Sequence, residues 1–167
     1  MYVRTASDRD IDAIRALLIE TWHDTYDAIL GADRVREITD EWHSISALRR
    51  RLTSPRSEYL VADDGAAITG MAFAAADEKG ETVTLHQLYV LPSWQGRGIG
   101  AMLLEEVISS FPDARAIRLE VEPENERAIG FYESQGFASS SEAAKDSLPG
   151  SIVPGRVYVR SLYGDPV

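Results

Sequence analysis

Residues 82–111 constrain the fold more than any other part of the chain, because they join a strand, a glycine-rich turn and a helix in that order. The strand is predicted from a run of β-branched, aromatic and aliphatic residues that ends at Leu91, and Pro92 has no N–H group with which to continue a sheet. Apolar residues then recur at helical spacing from Ile99 onward, and Pro112 ends that pattern. We therefore expect a strand, a tight turn and a helix that buries one face.

The turn between the strand and the helix contains three glycines and an arginine, in Gln95-Gly96-Arg97-Gly98-Ile99-Gly100. The first turn of a helix has N–H groups without intrahelical partners, and it carries the positive end of the helix dipole. Glycine lets the backbone approach a phosphate closely because it has no Cβ atom, and Arg97 would add a charge-assisted contact. The turn therefore predicts a site that binds a diphosphate group.

Three other interpretations compete for the same turn. A nucleotide P-loop is excluded, because it requires Gly-Lys-Ser/Thr where this sequence has Gly-Ile-Gly-Ala. A dinucleotide fingerprint stays open, since Gly96, Gly98 and Ala101 fit G-x-G-x-x-A, although residues 92–95 separate the strand from the first glycine. Glu120 then follows at a distance typical of a ribose-binding acid. A plain strand-to-helix turn, with glycine used only for its backbone geometry, also stays open.

Two segments, in matching order and spacing, resemble the motifs of the GNAT family of N-acetyltransferases. The family's acetyl-CoA signature Q/R-x-x-G-x-G/A is matched by Gln95-x-x-Gly98-x-Gly100, which follows Leu88-Tyr89-Val90-x-Pro. The family segment N-x-x-A-x-x-F/L-Y-E-x-x-G-F is matched by residues 125–137, NERAIGFYESQGF. Two motifs together are far more specific than either one alone.

The remaining periodicity, caps and turns complete the fold that this resemblance implies. The further predicted elements are a strand at 2–6, a helix at 8–23, two short helices within 32–53 with Ser44 as a second start, strands from Glu58 and at 67–76, a strand at 116–122, a helix capped by Asn125 and a strand at 156–160. The strand-helix-strand passage predicts a parallel pair with a right-handed crossover. The expected fold class is α/β (α+β), the acyl-CoA N-acyltransferase fold. It has a mixed, mostly antiparallel sheet of about six to seven strands, a splayed parallel pair in the middle and helices on both faces. We expect one domain over residues 1–167.

The resemblance implies that acetyl-CoA lies in the gap between the two splayed strands. The backbone of Leu88, Tyr89 and Val90 would bind pantetheine, and Asn125 would reach the cofactor from the opposite side. The pyrophosphate would be held by the turn residues Gln95, Gly96, Arg97, Gly98, Ile99, Gly100 and Ala101.

Acetyl transfer to an amine requires two proton transfers. An alkyl amine has a pKa of about 10.4, so a base must remove a proton before the nitrogen attacks the thioester. Glu120, in Leu-Glu-Val, matches the base of the ribosomal-protein N-terminal acetyltransferases, and His86 matches a catalytic histidine of other family members. Either would act directly or through water, and we favour Glu120 because its flanking sequence matches better. Tyr132 matches the family position of the acid that protonates the CoA thiolate.

The acceptor pocket is the least defined part of the prediction. An aromatic and polar cluster at residues 22–26 lies where the first helix should give way to a loop, and in the resembling family this region lines the pocket. Trp22 and Tyr26 are therefore candidate substrate-binding residues, with residues 139–154 as a second segment that shapes the pocket. The expected acceptor is a small-molecule amine, a polyamine or a protein N-terminus.

Composition limits the other partners. A net charge of −10 and a pI near 4.7 argue against sequence-independent binding of nucleic acid, and we interpret the run at residues 49–51, three arginines, as a solvated or acid-paired helix face. The absence of cysteine excludes thiolate sites, and the three histidines lack metal-ligand spacing, so no metal is expected. No signal peptide and no apolar run of about 18 residues occur, which favours a cytoplasmic protein off the membrane. The resemblance also makes a homodimer a candidate assembly.

Two functions from other classes stay open. The first is a non-catalytic acetyl-CoA-binding regulatory module, against which Tyr132 and the two base candidates argue. The second is a dinucleotide-binding oxidoreductase, which predicts NAD binding and no acetyl transfer.

Overall fold

The computed structural model describes residues 1–142, 144 and 155–162. Its strands are β1 (Tyr2–Thr5), β2 (Ser57–Asp63), β3 (Ile68–Ala76), β4 (Thr82–Val90), β5 (Ala116–Val121), β6 (Ala138–Ser139) and β7 (Arg156–Ser161). Its helices are α1 (Ile11–Leu30), α2 (Ala32–Trp42), α3 (Ile45–Leu52), α4 (Ile99–Ser109) and α5 (Glu126–Ser134). The described strands form a sheet in the order β1-β2-β3-β4-β5-β7-β6, in which β4 and β5 are parallel and all other neighbours antiparallel. The predicted fold class is therefore confirmed.

Helices cover both faces of the sheet and enclose two separate cores. Helices α1, α2 and α3 pack on one face against Tyr59 and Val61 of β2, whereas α4 packs on the other face against Leu60 and Ala62 of the same strand. Successive side chains of a strand point to opposite faces, so a strand covered on both sides is apolar at every position. This explains why residues 59–62 of β2 and 71–76 of β3 are continuous apolar runs rather than alternating ones.

Helix α1 is longer than the sequence predicted, which corrects the expected loop at residues 22–26. Trp22 and Tyr26 lie one and two helical turns beyond Leu18, and all three side chains are buried on the same face. No glycine or proline interrupts this segment before Gly31, whose φ of 86° ends the helix. The cluster therefore belongs to a rigid helix and not to a flexible connection.

The parallel pair at the centre of the sheet separates soon after it forms. β4 pairs with β5 only at residues 82–84, within the described part of the chain, and the two strands then diverge. A β-bulge follows in β4, because Leu85 and Gln87 lie opposite consecutive residues of β3 while His86 lies between them as the extra residue. The splay predicted in the middle of the sheet is present, and it creates an opening between β4 and β5.

The caps that the sequence predicted at the helix ends are also present. Ser44 begins α3 by accepting a hydrogen bond from the N–H group of Ala47, and Asn125 begins α5 in the same way with Ala128. Gly136, with a φ of 89°, follows the end of α5. Among the described residues, none of the helices has the length and apolar character needed to cross a membrane.

A buried ion pair ties the first strand to the start of α1. The carboxylate of Asp10 accepts two hydrogen bonds from the Arg4 guanidinium and one from the Ser7 N–H group, all at 2.8 Å. The bonds from Arg4 hold the pKa of Asp10 well below its usual range, although burial opposes them. A lowered pKa contributes stability above the unfolded value of about 3.9, and this contribution is lost as the pH falls below that value.

Asp10→Asn is expected to lower the free energy of unfolding by about 1–3 kcal/mol near neutral pH, because the charge-assisted bonds from Arg4 are lost. The variant should also lose stability less steeply than the wild type as the pH falls below about 4. Urea unfolding over a pH series measures both effects. Asp8→Asn is the matched control, since Asp8 pairs with Arg49 at the surface. An equal loss in both variants would contradict the assignment.

Candidate active site

A cavity of about 880 Å³ lies at the opening between β4 and β5. All but one of the predicted site residues line it, namely Trp22, Tyr26, His86, Leu88, Tyr89, Val90, Gln95, Gly96, Gly98, Ile99, Gly100, Ala101, Glu120, Asn125 and Tyr132. Arg97 is the predicted residue that does not. The fold therefore brings residues from α1, β4, β5, α4 and α5 to a single place.

One edge of the cavity is the backbone of β4. The N–H group of Leu91 donates to the carbonyl oxygen of Thr69 on β3 at 2.9 Å. Because the hydrogen-bonding direction of a strand alternates from residue to residue, the main-chain groups of Leu88 and Val90 point away from β3 and into the opening. Since β5 has diverged by this point, the N–H groups of Leu88 and Val90 and the carbonyl group of Leu88 form a strand edge to which an extended, amide-containing ligand can bond, while the carbonyl oxygen of Val90 already accepts a hydrogen bond from the Gln95 side chain.

The glycine turn forms the adjacent wall. Gly96 and Gly98 have φ angles of 78° and 82°, which residues with a Cβ atom rarely adopt. The N–H group of Met102 donates to Gly98 O at 3.0 Å, so the amides of residues 99–101 precede the first helical hydrogen bond of α4. Gly98 has no side chain with which to cap them, and no described atom from elsewhere in the fold lies within 4 Å of the position where its Cβ would be. The turn thus presents open N–H groups at a helix N-terminus.

Gln95 and Arg97 flank this turn in different ways. The side-chain amide of Gln95 donates to Val90 O at 2.9 Å, and its Oε1 is buried without a hydrogen-bond partner among the described residues. The guanidinium of Arg97 is exposed and lies 4.7 Å from the ring centroid of Trp94, over its face. Open amides suit a pyrophosphate, and the strand edge suits pantetheine, so this half of the cavity fits acetyl-CoA.

Three tyrosine phenols meet in the opening. Burial raises the pKa of Tyr132 well above its ordinary value, and the neighbouring Tyr89 raises it further. Burial also raises the pKa of Tyr89 to about 12 and that of Tyr26 far above the ordinary range, with Tyr89 and Glu122 contributing to the latter. Tyr132 packs in the core under α4, whereas Tyr89 packs in the core under α1. Protonated phenols therefore reach the opening from both faces of the sheet.

The two predicted bases lie on the α1 side of the opening. The Glu120 side chain is 14% exposed, and its Oε1 is 3.6 Å from an Nη atom of Arg118. His86 is exposed at the bulge of β4, with its ring centroid 5.7 Å from that of Phe73. Both residues line the cavity, and their positions do not identify which of the two is the base.

Glu122 is a further carboxylate that was not predicted from the sequence. It is buried, it lines the cavity, and it contributes to the raised pKa of Tyr26. The alternation of a strand places it on the same side as Glu120, two residues earlier, so period-two spacing would have identified it.

The end of the cavity farthest from the glycine turn is aromatic. Trp22 contacts Tyr26, Trp42 and His43, with ring centroids 4.7, 6.2 and 5.3 Å apart. Trp42, His43, Arg51 and Phe73, none of them a predicted site residue, also line this end. They come from α2, α3 and β3, and they reach the cavity only through tertiary packing. The predicted pocket segment at 139–154 lies largely outside the described residues.

Arg51 corrects the interpretation of the arginine run. Arg49 pairs with Asp8 at the surface at 3.0 Å, and Arg50 is exposed, as expected of a solvated helix face. The third arginine shares the inner face of α3 with Leu48 and turns towards the cavity, because successive residues of a helix are about 100° apart.

Comparisons with known sequences agree with this geometry. A protein-family model described as the acetyltransferase (GNAT) family matches residues 12–137. The N-alpha-acetyltransferase RimI of Mycobacterium tuberculosis is 35% identical over 102 residues, which cover 59% of this chain and 62% of that protein. The ribosomal protein bS18-alanine N-acetyltransferase of Salmonella typhimurium is 40% identical over 80 residues, which cover 47% of this chain and 51% of that protein. The chain spans less than two thirds of the length of these two relatives.

A solved structure shows the same fold over nearly the whole chain. The PaiA N-acetyltransferase of Thermoplasma acidophilum, in complex with coenzyme A, has a TM-score of 0.85 and covers 96% of this chain and 98% of its own, at 19% identity. At this identity the likeness is one of fold.

Proposed function

The chain belongs to the acetyltransferase (GNAT) family, whose members use acetyl-CoA, and we propose that it transfers the acetyl group of acetyl-CoA to a primary amine by direct attack. The observation that carries this proposal is the shared cavity. The glycine turn, the open edge of β4, both base candidates and Tyr132 all line it. A dinucleotide-binding oxidoreductase is not retained, because the family match covers the turn on which that interpretation rested.

The residues divide the two proton transfers between the two sides of the opening. On the α1 side, Glu120 accepts a proton from the acceptor ammonium, directly or through water, so that the nitrogen lone pair can attack the thioester carbon. The main-chain N–H group of Leu88 or Val90 donates a hydrogen bond to the thioester oxygen as it gains charge. On the α4 side, Tyr132 donates its phenolic proton to the sulfur as the C–S bond breaks. The attacking nitrogen, which becomes positively charged on forming the C–N bond, loses its second proton to solvent, solvent reprotonates the Tyr132 phenolate, and Glu120 releases its proton before the next turnover. No covalent enzyme intermediate is needed.

Burial makes Tyr132 suited to this role. Its raised pKa keeps the phenol protonated throughout the neutral range. The same low-dielectric surroundings disfavour a bare thiolate, so they raise the proton affinity of the leaving group as well. Burial thus raises both the pKa of the Tyr132 phenol and the proton affinity of the CoA thiolate, so proton transfer from the phenol to the sulfur stays feasible.

The acceptor is an amine of one of two kinds. The two sequence relatives are named as an N-alpha-acetyltransferase and a ribosomal protein bS18-alanine N-acetyltransferase, which makes a protein N-terminus one candidate. A small-molecule amine or polyamine is the other. A carboxylate pair, Glu120 and Glu122, at the opening would attract the ammonium form of either kind.

Release of CoA thiol against a panel of amines, polyamines and N-terminal peptides tests the proposal, with calorimetric binding of acetyl-CoA in parallel. Turnover with any acceptor supports acetyl transfer and identifies the substrate class. Binding without turnover would favour the alternative function, a regulatory module that holds acetyl-CoA. No binding would contradict the proposal.

Glu120→Gln is expected to lower kcat/KM by about 10²–10⁴-fold if Glu120 is the base, because the amide cannot accept the proton. His86→Gln should then change kcat/KM by less than about threefold. The dependence of kcat/KM on pH separates the two candidates. If a histidine is the base, kcat/KM of the wild type should rise with pH around 6.5, and only His86→Gln should abolish that rise. Glu124→Gln, an exposed neighbour that does not line the cavity, is the matched control. Full activity of Glu120→Gln would return Glu120 to a structural role.

A further inference from the structure

Arg51 is the cationic side chain at the aromatic end of the cavity. Its Nη2 donates to the carbonyl oxygen of Trp42 at 3.1 Å, which fixes the guanidinium in place. Its Nη1 is buried and forms no hydrogen bond of good geometry with a described residue, although the buried phenol oxygen of Tyr59 lies close to the guanidinium. Arg15 and Arg49 each pair with an aspartate, whereas Arg51 forms no ion pair with any described residue. A buried guanidinium donor without an acceptor is costly in free energy, so a bound ligand is the natural source of one.

The groups around Arg51 are also short of acceptors. Within the described part of the chain, the ring nitrogens of His43 and the Nε1 of Trp22 are buried and form no hydrogen bond of good geometry, although the Trp42 backbone lies near His43 and the Tyr89 phenol near Trp22. Both residues line the cavity. His43 is fully buried, and burial, with Arg51 and Arg15, lowers its pKa to about 3. The imidazole is therefore neutral near pH 7 and has one N–H group to donate. An indole N–H can only donate. Glu41 lines an outer hollow that Arg51 also lines, and among the described residues no ion pair joins the two side chains.

The cavity is consequently polarised. Two carboxylates, Glu120 of β5 and Glu122 directly after it, line one end, and Arg51 lies beside Phe73 of β3 at the other. β4 lies between these strands, so the two ends are at least roughly 10 Å apart, measured between strand axes. The wall between them is aromatic, with Trp22 and Tyr26 in contact.

We propose that the acceptor is an amine that also carries a carboxylate, which Arg51 binds while the amine lies near the carboxylates of Glu120 and Glu122. The inference rests on the acetyl transfer proposed above and narrows its substrate class. A guanidinium offers two N–H donors to a carboxylate, and the aromatic wall suits an unbranched or peptide chain between the two charges. A polyamine would place a second cation against Arg51 and is disfavoured.

Matched acceptors test the carboxylate directly. The first series consists of unbranched ω-amino acids of three to six carbons, each compared with its carboxamide. The second compares the peptides Ala-Glu and Ala-Gln, both with amidated C-termini. The two series distinguish a free amino acid acceptor from a peptide acceptor. In at least one of the two series, we expect the wild type to acetylate the acid with a kcat/KM at least about tenfold higher than that of the matching amide. This acid-to-amide ratio is the quantity to be measured. Arg51→Gln, which keeps an amide donor for Trp42, should reduce that ratio to about one, and Arg51→Lys should restore part of it.

Arg50→Gln is the matched control, because it removes the same charge from an exposed neighbour and should keep the wild-type ratio. A ratio near one in the wild type, or an unchanged ratio in Arg51→Gln, overturns the inference. A purely structural Arg51 would lower the melting temperature without changing the ratio.

A binding measurement separates this inference from the proposed function. If no acceptor is acetylated, acetyl transfer itself fails, but the CoA-loaded protein still tests Arg51 by thermal shift with 6-aminohexanoate against its amide. Stabilisation by the acid that Arg51→Gln abolishes and Arg50→Gln keeps supports the carboxylate site. Equal shifts with the acid and the amide, or equal shifts in wild type and Arg51→Gln, overturn it.

Discussion

Tyr132→Phe is expected to lower kcat for acetyl transfer by about 10²–10⁴-fold while changing the affinity for acetyl-CoA by less than about threefold. The substitution removes one oxygen atom and keeps the ring, which is buried against Phe131 and Phe137 with centroids 5.2 and 5.5 Å away. The packing of the core should therefore survive, and only the proton donor is lost. Steady-state kinetics together with calorimetric titration of acetyl-CoA measure the two quantities separately.

The control for this prediction is a second tyrosine of the same core. Tyr158 of β7 is 4% exposed and belongs to the same apolar cluster as Tyr132, but it does not line the cavity. Tyr158→Phe should leave kcat nearly unchanged. If Tyr132→Phe keeps the wild-type rate over the whole pH range, Tyr132 is a core residue and another group protonates the leaving thiolate.

The local part of this structure was predictable because its determinants are local. Asn125 and Ser44 cap helices through contacts with residues three positions away, and the turn at residues 95–100 depends on glycine φ angles that the sequence itself marks. The end of α1 was misjudged because an aromatic and polar cluster was interpreted as a loop. Helical spacing from Leu18 to Tyr26 and the first glycine at Gly31 were the better guides.

The acceptor half of the site was not predictable, because its residues act through tertiary contacts. Arg51 looks like part of a solvated run, and only the packing of α3 shows that it turns inward. His43 is fully buried, and no sequence motif identifies it as a residue of the cavity. Arg97 shows the opposite case, since its place in the motif predicts a cofactor contact while its guanidinium lies over Trp94. Sequence motifs identify the residues that we propose hold acetyl-CoA, whereas tertiary packing determines the rest of the cavity lining.

Gly98→Glu is expected to weaken binding of acetyl-CoA by at least about 100-fold, which corresponds to about 2.7 kcal/mol. The new side chain would enter the space in front of the N-terminus of α4, where no described atom from elsewhere in the fold lies within 4 Å of the position that its Cβ atom would take. Its carboxylate would occupy the position of a diphosphate and repel it, while also capping the amides of residues 99–101. Calorimetric titration with acetyl-CoA and with CoA measures the loss.

Backbone strain is the competing explanation for such a loss, and a second glycine controls for it. Gly98 has a φ of 82°, so any residue with a Cβ atom is strained there. Gly65, in the exposed hairpin between β2 and β3, has a φ of 95° and the same open surroundings. Gly65→Glu therefore adds the same charge and a similar strain at a residue that does not line the cavity, and it should bind acetyl-CoA as the wild type does. Gly98→Ala adds strain without charge and should lie between the two. If Gly98→Glu binds acetyl-CoA with wild-type affinity, this turn does not bind the diphosphate, and the proposed placement of acetyl-CoA in the opening is wrong.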